Sequence, residues 1–222
     1  MEKKITTPTS GNTLSQLNTQ PIGQVNIQPE NTSQLPRGNN TGNTQGNFIY
    51  YSQRDPLWGG EAGLCPYDKE GNYLSSGGTN YSFSQIGCGI TVDAMLLSNY
   101  SSKKMTPIEV KDTWFTAPGY NCGSYYGPHA DVLNQNGFSV TAVENPSKAY
   151  IAENASYDNP IVVGVKFSQS NGEPATHYTL AVGTNASGEI IYQDPFFGSN
   201  IPFPREYEVL DAFTVVPPDT NQ

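Results

Sequence analysis

None of the 25 aromatic side chains of this 222-residue chain lies in its first 47 residues. That stretch is filled by Asn, Gln, Thr, Gly and Pro. It cannot bury enough apolar surface to offset the entropy of ordering it, so it reads as a disordered tail or linker. Two related fragments, NTLSQL at Asn12 and NTSQLP at Asn31, are too few to make an array. Any core must therefore be built from residues 48–217, the length of one ordinary domain, with a short tail at 218–222.

Charge is sparse in that domain. Asp, Glu, Lys and Arg make up 14% of the chain, against about 25% in a typical soluble protein. With 22 Gly and 17 Pro the sequence is polar and rich in turns. The net charge is −9, and the tail has three basic and two acidic residues, which leaves about −10 on the domain. Nucleic acid and anionic membrane surfaces are thereby excluded as partners, because both require clustered Lys and Arg. No apolar run approaches the ~18 residues of a membrane span. The opening MEKK leads into ITTPTSGNT rather than an apolar core, so no signal peptide is visible. A secreted or surface-associated monomer is the expectation.

Phe48-Ile49-Tyr50-Tyr51 reads as a strand, and a long Gly-rich loop then runs to about Ser84. A helix is predicted from Cys88 to Tyr100, and a second from Thr106-Pro107 through Trp114, with Thr as N-cap and Pro in the first turn. A third runs from Gly127 to Asn136 and ends at Gly137. After Phe138 strands take over, with a helix at Ser147 to Asn154, an apolar run Ile161 to Phe167, and a hairpin pairing Thr176–Val182 with Glu189–Gln193 through the turn Asn185–Gly188. A last strand is Phe213 to Val216. Helices first and a mainly antiparallel sheet afterwards make an α+β domain with its helices gathered on one side.

Chemistry concentrates in QIGCGITVDAMLLSNY, residues 85–100. Cys88 stands between two glycines where Ile90, Ala94, Leu97 and Ser98 begin a helical pattern. A cysteine at a helix N-terminus faces unpaired amides and the positive end of the helix dipole, which favour the thiolate. A nucleophile needs a base. His177 opens the strand HYTLAVG, and Asp194 ends its hairpin partner IIYQDP, so the two are expected side by side. His129, in the first turn of a helix, is the rival base. Asp93 suits the start of the Cys88 helix but would disfavour a thiolate if it faced Cys88. Of the three cysteines, Cys65 and Cys122 remain, either bridged in an oxidising compartment or separate; their spacing fits no metal motif.

The order YYSQRDPLW, IGCGITVDAMLL, HYTLAVG, turn, IIYQDPFFG resembles the papain-like cysteine peptidases of the double-glycine leader peptidase type, particularly their stand-alone relatives. The resemblance runs from about Tyr50 to Gly198 and implies a papain-like fold and a thiol hydrolase acting on peptide or peptide-like amide bonds, without metal or organic cofactor. It matches Cys88 to the nucleophile, His177 to the general base and acid, Asp194 to the residue that orients the imidazole, and Gln53 to the oxyanion-hole glutamine. The gap from Gln53 to Cys88 is longer than the classical papain-like spacing, so Gln85 competes for that role. The same machinery serves a peptidoglycan amidase or an acyltransferase, and a degenerate member of the fold would only bind peptide or glycan.

Overall fold

The computed structural model of the chain describes residues 48–61, 81–116, 126–169, 171–204 and 207–218. The expected tail, and Cys65 and Cys122, whether bridged or separate, lie outside the described residues.

Four helices come first: α1 (Phe83–Ile86), α2 (Cys88–Tyr100), α3 (Pro107–Thr116) and α4 (Tyr126–Gln135). The first is a single turn that the sequence pattern did not announce. Its cap is Ser82, whose amide donates to Gln85 Oε1 at 2.7 Å. In α3 the expected N-terminus is made by Thr106, whose amide and hydroxyl both donate to Glu109 Oε2, at 2.7 and 2.8 Å. Helix α2 does not present one apolar face. Every residue from Gly89 to Ser98 is buried, because the helix runs between α3, α4 and the sheet.

Strands β1 (Ser139–Ala142), β2 (Ile161–Ser168), β3 (Pro174–Thr184), β4 (Ile190–Asp194), β5 (Gly198–Pro202) and β6 (Glu208–Val216) form one antiparallel sheet in the order β1-β6-β2-β3-β4-β5. Val162, Tyr178, Leu180, Val182, Phe213 and Val215 face the helices and share a core with Met95, Leu96, Leu97 and Trp114. The opposite face is covered as well. Ile161, Val163, Val165, Ala181 and Tyr192 pack there with Ile151 of α5 (Lys148–Asn154). The expectation that the helices gather on one side is therefore corrected. The uninterrupted run Ile161–Val165 carries the reason, since a strand that is apolar at every position must bury both faces.

A second correction concerns Phe48 to Tyr51, which are not a strand. Their backbone is claimed by a side chain instead: Ile49 N donates to Asn99 Oδ1 at 2.7 Å, and Asn99 Nδ2 donates to Ile49 O at 2.9 Å. Phe48 packs edge-on against Tyr100 and Tyr157. The segment thus crosses the C-terminal end of α2 and runs on towards the end of β4.

Candidate active site

Cys88 is the first residue of α2 and carries a half-buried thiol that is in no disulfide. Gly87 joins it to α1, and a Cβ at Gly87 would lie 2.3 Å from the Phe83 ring and 2.6 Å from the Phe83 carbonyl oxygen. The glycine is thus required by close approach, since its φ of −79° is open to any residue. No side chain caps the first turn of α2.

His177 and Asp194 meet as the hairpin requires. His177 Nε2–H donates to Asp194 Oδ1 at 2.8 Å, with both side chains buried. The same oxygen accepts the amides of Phe196 at 2.8 Å and Phe197 at 2.9 Å, so the tight turn after Pro195 fixes the carboxylate. The thiol of Cys88 hydrogen-bonds the His177 ring. With Nε2 given to Asp194, the nitrogen left for the thiol is Nδ1. Burial alone would lower the His177 pKa, but the charge and hydrogen bond of Asp194, helped by Cys88, outweigh it and push the value up to about 10. Burial and the same carboxylate also hold the phenols of Tyr50 and Tyr192 above their ordinary value.

Gln53 is buried and tied to both halves of the site. Its amide N donates to Pro195 O at 2.9 Å and its Nε2 donates to Ser84 O at 2.9 Å. Nearby, Tyr50 Oη donates to Asp194 O at 2.7 Å. One Nε2 hydrogen of Gln53 remains after the bond to Ser84. Gln85 is exposed, and its side chain is engaged by Ser82. Gln53 is thus held between the segment before Cys88 and the turn after Asp194, whereas Gln85 is held at the exposed start of α1.

His129, the rival base, is fully buried, and its Nδ1–H donates to Asp93 Oδ1 at 2.7 Å. Its Nε2 has no hydrogen-bond partner among the described residues, so neither nitrogen bonds the thiol. Asp93 is equally buried and turns to His129 and to Trp114, whose Nε1–H donates to Asp93 Oδ2 at 2.7 Å. A carboxylate inside an otherwise apolar helix was the available sign that a buried partner had to exist.

Sequence reasoning also passed over the aromatic rim of the site. Phe196 and Phe197 stand edge-on to the His177 ring, with centroids 6.4 and 6.2 Å away, and Arg54 lies 4.5 Å over the Phe196 ring. Their position directly after Asp194-Pro195 was the readable signal. At the opposite end of β3 and β4 a cleft of about 770 Å³ is lined by Tyr157, Asp158, Val182, Thr184 and Asn200 among others, and it includes none of Cys88, His177 and Asp194. Among the described residues no cluster of His, Cys, Asp and Glu could hold a metal ion, and no helix is long and apolar enough to cross a membrane.

No curated protein matches the chain. Among solved structures it is similar to the peptidase domain of Streptococcus ComA, a bi-functional ABC transporter involved in a quorum sensing pathway, with 16% identity and a TM-score of 0.44 over 59% of this chain and 91% of that one. The sequence profile of the Peptidase_C39 like family matches residues 47–213, from the threshold of Phe48 to the middle of β6. With helices over an antiparallel sheet and a cysteine opening the central helix, the architecture is the papain-like α+β fold. The chain belongs to the Peptidase_C39 like family.

Proposed function

We propose that the protein is a thiol-dependent peptidase whose reaction is carried by Cys88, His177 and Asp194. The observation that carries this reading is the single imidazole held on one side by a buried carboxylate and bonded on the other to a cysteine at a helix N-terminus. With its pKa raised to about 10, His177 holds the proton at neutral pH and the sulfur is left as thiolate. The sulfur attacks the peptide carbonyl carbon. The oxyanion that forms is stabilised by the Cys88 amide and the remaining Nε2 hydrogen of Gln53. His177 gives its proton to the leaving amine as the C–N bond breaks, which leaves a thioester. Water then attacks this thioester, His177 takes a proton from it, and the C–S bond breaks to release the new carboxyl terminus. Asp194 keeps the imidazole in the tautomer and orientation that both proton transfers need.

Extended substrates bound along a strand edge must bring their backbone close to Cys88, which favours Gly or Ala at the cut. The test uses the full chain with a mixed peptide library and purified peptidoglycan at low and high salt. New termini after Gly or Ala, made faster at low salt when Lys or Arg flank the site and lost in Cys88→Ala, are expected. Release of muropeptide fragments alone would move the activity to the cell wall. Absence of any Cys88-dependent product would leave a binding module in place of an enzyme.

A further inference from the structure

The mechanism above leaves unused two ionisable side chains that are fully buried among the described residues. Asp93, five residues along α2 from the nucleophile, and His129 of α4 are both fully buried and bonded at 2.7 Å. Trp114 of α3 occupies the second Asp93 oxygen at 2.7 Å and packs edge-on to the His129 ring, with centroids 4.8 Å apart. On the sheet side the His129 ring lies against Tyr178, whose centroid is 4.7 Å away, and Phe213, at 5.0 Å. Tyr178 directly follows His177 on β3, and its hydroxyl donates to Asp211 Oδ2 of β6 at 2.8 Å. Gly164 of β2 makes room for that carboxyl, for a Cβ there would lie 2.1 Å from Asp211 Oδ1.

The helix of the nucleophile and the strand of the base are thus joined through one histidine. Burying a carboxylate this deeply is costly unless it is paired, and breaking such a pair leaves an uncompensated charge. An apolar core of the same volume would hold the elements together equally well. The polar pair adds direction, since hydrogen bonds at 2.7 Å fix the rotation of α2 about its axis relative to α3 and α4, and the His129–Tyr178 contact fixes β3 against them.

We propose that Asp93 and His129 are positioning residues of the peptidase site, with the His129 imidazole bridging Asp93 on α2 to the Tyr178–Asp211 pair on the sheet so that Cys88 and His177 stay within hydrogen-bond reach. Burial raises the pKa values of Asp93 and Asp211 above the ordinary carboxylate value, and the nearby His129 opposes that rise for both. The ionisable groups around His129 are therefore Asp93 from α2, Asp211 from β6 and the phenol of Tyr178 from β3; α3 contributes only the neutral indole of Trp114.

The inference rests on the peptidase reading above, and its test separates the two. The rate of Cys88 alkylation by iodoacetamide is followed in the full chain from pH 5 to 9 by mass spectrometry of the Cys88 peptide, for wild type, Asp93→Asn and His129→Gln. The temperature is one at which circular dichroism shows each folded. Wild type is expected to react well at pH 6; if it does not, the peptidase reading fails. Both variants are expected to react about tenfold more slowly at pH 6, with their profiles displaced to higher pH. Profiles that superimpose on wild type while only the melting temperature falls would make the pair purely structural and overturn the proposal. If neither variant folds, the wild type decides. The chain has two histidines, so ring ¹⁵N signals are readily assigned, and alkylating Cys88 is expected to move the His129 signals, which must stay still if the groups are uncoupled.

Discussion

The charge on His177 is set by its neighbours rather than by its own chemistry, and this makes stability depend on pH in a defined window. Its ordinary pKa of 6.5 becomes about 10 in the fold. Between those values the folded chain binds a proton that the unfolded chain has lost, so the contribution is complete below pH 6.5 and disappears as pH rises through 10. Wild type is expected to lose melting temperature across that window, at about 2–4 °C for each kcal/mol, while His177→Gln lacks this component. Parallel curves would count against the ion pair. Tyr50, Tyr100 and Tyr192, whose phenols burial pushes above 10.0, enter only at higher pH. The neighbourhood of His177 and Asp194 was legible in the sequence because a short turn leaves the open end of a hairpin little choice of partner. The environment of His129 was not. Local pattern puts it in the first turn of a helix, and only the packing of α2 and β3 against that turn decides that it is buried.

Elements whose signal is local were readable, and those whose backbone is satisfied from a distance were not. Helix α2 has Cys88 and Tyr100 as its ends in both the sequence reading and the structure, since the glycine before it and the apolar pattern within it are local facts. Strand β5, GSNIP, is mostly exposed and lacks the alternation that marks a strand, and α1 is too short to show a period. Phe48 to Tyr51 have strand-like composition, yet Asn99 takes both backbone hydrogen bonds of Ile49. Asn99→Ala removes those bonds together with the one from Asn99 Nδ2 to Met95 O at 2.7 Å. It should destabilise the chain by about 1–3 kcal/mol in urea. Amide exchange at Ile49 and Gln53 should quicken, because the same segment carries Gln53 to the site. Unchanged exchange at both would show that the segment is held by Phe48 and Tyr50 alone.

For the molecule as a whole, α+β character was legible from the succession of helices and strands, while the sheet order was not, because β6 pairs with β1 on one side and β2 on the other. No local signal announces a partner seventy residues away. Removing residues 1–47, which bring no aromatic anchor, is expected to leave the melting temperature and the Cys88 alkylation rate at wild-type values. A drop of several degrees would mean that the segment docks on the domain. Truncation before Glu208 should instead abolish folding, and the reason bears on how the protein is made. On the ribosome Cys88, His177 and Asp194 are all synthesised before the strand that fills the gap between β1 and β2. Until Val216 has emerged, the sheet has an open slot with unpaired edges on both sides. The nascent chain therefore carries Cys88, His177 and Asp194 without a finished scaffold, and the cleft acquires its shape only once β6 has emerged and paired.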